Sequence, residues 1–257
     1  MFAKVSMIAK VVRSFSRDDT GANLPHIDLQ SEVTLDQLTK YDTQFLIDDS
    51  GSMLGERWDE ARDALMGLAE WSLKHDDDGI EIFFLNAPNA GRTVRNKEEI
   101  GQLFETVEVK PTSGTPTGYR LEKLLHAYVN KIEDVGVDNL STSGIKALNI
   151  IVITDGEATD DIESVIVDTA RRLDKGKFSP TQVGIQFIQI GDDKRAAKAL
   201  RKLDNCLSKS KNVRDIVDTR PYKKGTKLTP ELLASMLLGG INRRIDLIKN
   251  PSRSQSQ

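Results

Sequence analysis

Three apolar residues, Phe45-Leu46-Ile47, run directly into Asp48-Asp49-Ser50-Gly51-Ser52. A buried strand ending at Ile47 would present Asp48, Ser50 and Ser52 at its carboxyl end. Their spacing by two keeps three side-chain oxygens on one side of a tight loop, and Gly51 lets the backbone turn sharply. An all-oxygen set of this kind suits a hard cation such as Mg2+ or Mn2+. The same residues equally suit a strand followed by an Asx or Ser turn that caps the next helix. Taken alone, the stretch is compatible with both readings.

Two later stretches bear on the choice. Ser113-Gly114-Thr115-Pro116-Thr117-Gly118 is a glycine-flanked loop with exposed hydroxyls. Ile150-Ile151-Val152-Ile153-Thr154-Asp155-Gly156 is a second apolar strand that ends in an acidic turn. With these three stretches in this order, the chain resembles the von Willebrand factor A (vWA) family over roughly residues 41–246. The family's metal-ion-dependent adhesion site is Asp-x-Ser-x-Ser, then a distant Thr, then a distant Asp. The matching positions are Asp48, Ser50, Ser52, Thr115 and Asp155. Three motifs in order are far more specific than one short motif.

The resemblance implies Ser50, Ser52 and Thr115 as direct ligands of Mg2+ (or Mn2+). It implies Asp48 and Asp155 as ligands acting through water or switching in. Neutral hydroxyl ligands leave the ion electron-poor, with room for one outside oxygen. A Glu or Asp carboxylate from a partner protein is then the natural sixth ligand. The family's last helix slides when the site changes ligand, which here would be residues 230–248.

The elements that must position these residues follow from the patterning. Strands are expected at residues 43–47, 80–85, 93–94, 148–153, 183–190 and 216–217. Helices are expected at 56–74, 97–107, 117–132, 161–173, 194–207 and 229–248, with apolar residues at helical spacing. Trp58 reads as core, His126 as solvent-facing, and Cys206 as a small filler. Thr229 and Pro230 fit the N-cap and first position of the last helix. Gly239-Gly240 inside that helix suits close packing or a hinge. Residues 134–146 read as a Gly/Ser/Asn-rich mobile loop.

Strands alternating with helices call for an α/β fold, a Rossmann-like doubly wound sheet with helices on both faces. The resemblance supplies a six-stranded order of 3-2-1-4-5-6, with strand three antiparallel. Ligands bind such sheets at strand carboxyl ends where the order reverses, so the order would unite Asp48 with Asp155. The division expected is an arm and lead-in at residues 1–40, a vWA domain at 41–248 and a disordered tail at 249–257.

Composition narrows the function. The chain has 257 residues, 38% hydrophobic and 29% charged, with a net charge of -3. That charge makes no electrostatic case for nucleic acid. One cysteine cannot form an internal disulfide, which suits a reducing, cytoplasmic setting. The basic segment Met1–Arg17 has some features of a mitochondrial presequence, though a surface arm is the favoured reading. No apolar run is long enough to span a bilayer.

The leading expectation is a metal-dependent protein-binding module without enzymatic activity. A hydrolase or phosphotransferase using the same ion is the alternative. Against it, Ser50 stands where a phosphatase-like strand end would carry a second Asp, no Gly-x-x-x-x-Gly-Lys loop exists, and no histidine lies in the three motif stretches. A buried Glu157 with a raised pKa would be its base. A scaffold with a vestigial site is the third reading. Asp49 and the acids Glu157, Asp160, Asp161 and Glu163 read as solvated surface.

Overall fold

The computed structural model describes residues 41–72, 80–220, 222 and 225–237. In chain order the strands are β1 (Tyr41–Ile47), β2 (Ile80–Phe84), β3 (Arg92–Val94), β4 (Ala147–Thr154), β5 (Val183–Gln189) and β6 (Val217–Arg220). The helices are α1 (Glu56–Ser72), α2 (Lys97–Thr106), α3 (Thr117–Val135), α4 (Val137–Leu140), α5 (Ile162–Lys175), α6 (Lys194–Lys211) and α7 (230–237). The expected arm and tail, residues 73–79, the Cys206 side chain, Gly239-Gly240 and the remainder of the expected last helix lie outside the described residues.

The six strands form one sheet in the order β3-β2-β1-β4-β5-β6. All neighbours run parallel except β2 and β3, which pair antiparallel with Ile80 opposite Val94. This is the doubly wound α/β architecture and the strand order expected. The central strands are covered on both faces, which is why β4 reads as a nearly continuous apolar run, and β5 is buried throughout although Gln186 and Gln189 interrupt its apolar residues.

Each face has its own core. On one, Phe45, Ile47, Ile151 and Ile153 pack under Ala61, Leu65 and Leu68 of α1, Ile100 and Leu103 of α2, and Leu233 and Leu237 of α7. Trp58 joins that layer beside Phe84 and Phe104, with ring centroids 5.9 and 4.6 Å away. On the other face, Leu46, Ile150, Val152 and Phe187 pack under Leu121 and Leu125 of α3, Ile166 and Leu173 of α5, and Leu200 and Leu203 of α6. His126 is exposed on α3. The Thr229 hydroxyl accepts from Leu232 N at 3.2 Å, as its N-cap position requires.

The stretch 134–146 is more ordered in form than a plain loop. It contains α4, and Tyr128 of α3 donates to the Lys146 carbonyl at 2.7 Å. No helix of the described residues is long and apolar enough to cross a membrane.

Candidate metal centre

β1 and β4 are hydrogen-bonded neighbours, with Ile47 opposite Ile153. Their chain connections leave in opposite directions along the sheet, so a crevice opens between their carboxyl ends. The ladder continues one step beyond β1, where Asp48 N donates to Ile153 O at 2.9 Å. That bond sets Asp48 beside Thr154, the last residue of β4.

Both oxygens of Asp48 are engaged. Oδ1 accepts from Ser50 N at 2.9 Å and Oδ2 accepts from the Thr154 hydroxyl at 2.6 Å. Asp48 is fully buried, and burial pushes its carboxyl above the usual range against the lowering by these hydrogen bonds. Asp155 is engaged in the same manner. Its Oδ1 accepts from the Ser52 hydroxyl at 2.8 Å and its Oδ2 accepts from Arg57 Nη1. The Ser50 and Ser52 hydroxyls lie 3.1 Å apart.

A 3-10 turn, Gly51–Met53, follows Ser50 and carries Ser52 toward Asp155. Gly51 is required for a reason other than backbone freedom. A Cβ there would stand 2.3 Å from the Pro111 carbonyl oxygen. Gly51 N also donates to Ser113 O at 3.4 Å, so the turn rests directly on the Thr115 loop.

That loop has further ties. Asn86, just after β2, accepts no choice of position. Its backbone N and its Nδ2 donate to Asp49 Oδ1 at 2.7 and 3.1 Å, and Nδ2 also donates to Gly114 O at 3.0 Å. Asp49 is therefore a buried clamp between two loops, not the solvated residue expected. Thr115 N donates to the Thr159 hydroxyl, and Thr159 N donates to Thr115 O at 3.0 Å. The Thr115 hydroxyl is left with no hydrogen-bond partner among the described residues, although the residue is only 6% exposed. A Cβ on Gly156 would lie 3.7 Å from it, so Gly156 keeps the space before the hydroxyl open.

In the acidic segment after Asp155, Glu157 and Asp161 are exposed as expected, whereas Asp160 and Glu163 are half-buried. Asp160 accepts from Gly118 N and Tyr119 N at 2.8 and 2.7 Å and so caps the start of α3. Asp161 caps α5 through Ser164 N at 3.0 Å. Glu163 pairs with Lys202 of α6. Glu157 is exposed rather than buried, which removes the basis for a desolvated base at that position.

Arg120 fixes α3 against the end of β2. Its Nε donates to Phe84 O at 3.0 Å and Nη2 to Pro88 O at 3.1 Å, and burial lowers its pKa. The structure thus brings Asp48, Ser50, Ser52 and Asp155 into one hydrogen-bonded cluster, with Thr115 held on the loop that abuts it.

The donor set fits a hard divalent cation. The ligating atoms are oxygens and both carboxylates are oriented by neighbours. Thr154, Arg57 and Asn86 complete the arrangement and were not singled out by motif. Arg57 left a trace in the sequence, since a basic residue in the first turn opposes the helix dipole. Thr154 and Asn86 left none beyond their place at strand ends. The chain matches no protein-family model and no curated protein sequence.

Proposed function

We propose that the chain is a vWA-type domain that binds a partner protein through a divalent cation held at the β1/β4 switch point. The observation that carries this reading is the division of labour among oxygens. Four carboxylate oxygens are already hydrogen-bonded, the Ser50 and Ser52 hydroxyls pair at 3.1 Å, and the loop that carries Thr115 is tied to the Gly51 turn through Ser113 O.

Ser50, Ser52 and Thr115 would hold Mg2+ or Mn2+ directly, with Asp48 and Asp155 behind them. Such an ion supplies an open, electrophilic position for a carboxylate oxygen of a partner's Asp or Glu. The chain's own residues prepare that position. Ser52 donates a hydrogen bond to Asp155, which leaves its oxygen lone pairs as the groups able to meet an ion. Asp48 orients Ser50 through the backbone N–H. Asp49 and Asn86 fix the height of the Thr115 loop. The single cysteine supports a reducing, cytoplasmic setting.

Calorimetric titration of Mg2+ and Mn2+ into EDTA-stripped protein tests the reading, with Ser50→Ala and Thr115→Ala alongside. Saturable binding in the wild type, lost in both variants, is expected. A partner captured with Mg2+ and released by EDTA would complete it. Absence of binding, or ion-dependent hydrolysis of a phosphate ester, would replace it with the scaffold or the enzyme reading.

A further inference from the structure

Arg57 lies in the first turn of α1 and reaches across the switch point. Its Nη1 bonds Asp155 Oδ2 and also donates to the Ser52 carbonyl at 3.2 Å. The Asp155 side chain is 1% exposed and that of Arg57 is 35% exposed, so the carboxylate is sealed under the guanidinium. The back of the guanidinium faces Gly191, where a Cβ would stand 2.7 Å from Nε. Asp193 flanks it beyond, and Arg57 is among the groups that lower the Asp193 pKa. Among the described residues no other basic side chain bonds Asp48 or Asp155.

Two consequences follow from charge and geometry. With one carboxylate oxygen on Ser52 and the other on Arg57, each oxygen of Asp155 is already oriented by a donor, which opposes its rotation onto an ion. A divalent ion beside two carboxylates is neutral overall, and Arg57 makes the set positive by one charge.

We propose that Arg57 is a positioning residue for this centre, holding Asp155 as the hydrogen-bond acceptor of Ser52 rather than as an ion ligand and making the loaded site cationic toward an incoming carboxylate. This rests on the metal reading above. Without Arg57, Asp155 is free to rotate onto the ion, displace a coordinated water and neutralise the site. Arg57 thus trades affinity for the ion against affinity for the anionic partner.

The experiment uses the full chain, EDTA-stripped, with Mn2+ as the probe. Binding is read by calorimetry, and the number of ion-bound waters by water-proton relaxation. Arg57→Gln, Arg57→Lys and Ser50→Ala are compared, with folding checked by circular dichroism. A unit charge about 6 Å from a divalent ion changes binding by about tenfold at a solvent-like dielectric, the regime that suits a guanidinium 35% exposed. Arg57→Gln is therefore expected to bind Mn2+ about tenfold tighter with fewer bound waters, and Arg57→Lys to resemble the wild type. Binding only after Arg57→Gln would support the inference as well. Wild-type binding that Ser50→Ala abolishes, with unchanged or weaker affinity and unchanged hydration in a folded Arg57→Gln, overturns this inference alone. No Mn2+ binding in any of the proteins overturns the metal reading and this inference with it.

Discussion

Two strand ends carry nearly the same text. β1 leaves the sheet through Ile47-Asp48-Asp49-Ser50-Gly51, and β5 is followed by Ile190-Gly191-Asp192-Asp193. Their fates differ. Asp48 and Asp49 are buried, at 0% and 1% exposure, and every hydrogen bond they make reaches toward a loop of the site or an adjacent strand end. Asp192 is exposed, and Asp193 caps α6 by accepting from Arg195 N at 2.6 Å. The glycines differ too. Gly51 is demanded by the Pro111 carbonyl, whereas Gly191 has φ 73°, a backbone state that glycine adopts without strain. The acids at the end of β1 are enclosed because groups at the ends of both neighbouring strands bond to them. β1 has β2 and β4 at its sides, and Asn86 and Thr154 come from those two strands' ends.

The largest effect that separates the two ends should be on ion affinity. Asp48→Asn keeps one acceptor for Ser50 N, turns the group facing Thr154 into a donor and removes the charge, and is expected to weaken Mg2+ binding by roughly 10- to 100-fold. Asp193→Asn should leave the affinity unchanged. Calorimetry on both variants measures the contrast, and equal effects would erase it.

The glycines give the next contrast, in stability. Gly51→Ala drives a methyl into a backbone carbonyl, and a cost of about 2–3 kcal/mol is expected from overpacking. The displaced Thr115 loop should weaken ion binding in the same variant. Gly191→Ala meets only the movable Arg57 side chain and a left-handed backbone, at about 1–2 kcal/mol. Urea denaturation of the metal-free proteins ranks the two. A milder effect at Gly51 would show that the turn slides freely on Pro111.

The smallest effect lies at the opposite end of the sheet. There Tyr128 donates to Lys146 O at 2.7 Å and accepts from Gln182 Nε2 at 2.6 Å, tying α3 to the segments that enter β4 and β5. Tyr128→Phe should cost about 1 kcal/mol. Burial pushes the Tyr128 phenol up to about 12, from an ordinary 10.0. A raised folded pKa means that its contribution is complete below pH 10 and is lost as pH rises from 10 toward 12. Wild type and Tyr128→Phe should therefore converge in stability over that interval, with ion affinity at neutral pH unchanged. Denaturation midpoints at stepped alkaline pH check the convergence.

Much of the architecture was legible beforehand because burial on both faces leaves a plain mark. Central strands such as Ala147–Thr154 are mostly apolar, and helices such as Ile162–Lys175 must show a stripe. Boundaries slipped by one to a few residues where caps decide them. α3 runs to Val135, beyond the Ile132 expected, because Gly136 supplies the stop at φ 78°. Among site residues, Asp48, Ser50, Ser52 and Asp155 were legible as a motif and do meet in one cluster.

What sequence by itself determined, then, is the inventory: which segments are strands and helices, in what alternation, and which oxygens end the strands. Those properties are local, set by side-chain type and periodicity. Tertiary structure alone decided which acids are chemistry and which are scaffolding. Asp49 became a buried clamp, Asp160 and Asp161 became helix caps, Glu157 stayed in solvent, and Arg57 came to rest on Asp155. The outcomes at Asp49, Asp160 and Arg57 each depend on a partner tens of residues away. The energy of a carboxylate is governed by what surrounds it in space, and the chain order between Asp155 and Arg57 carries no record of that meeting.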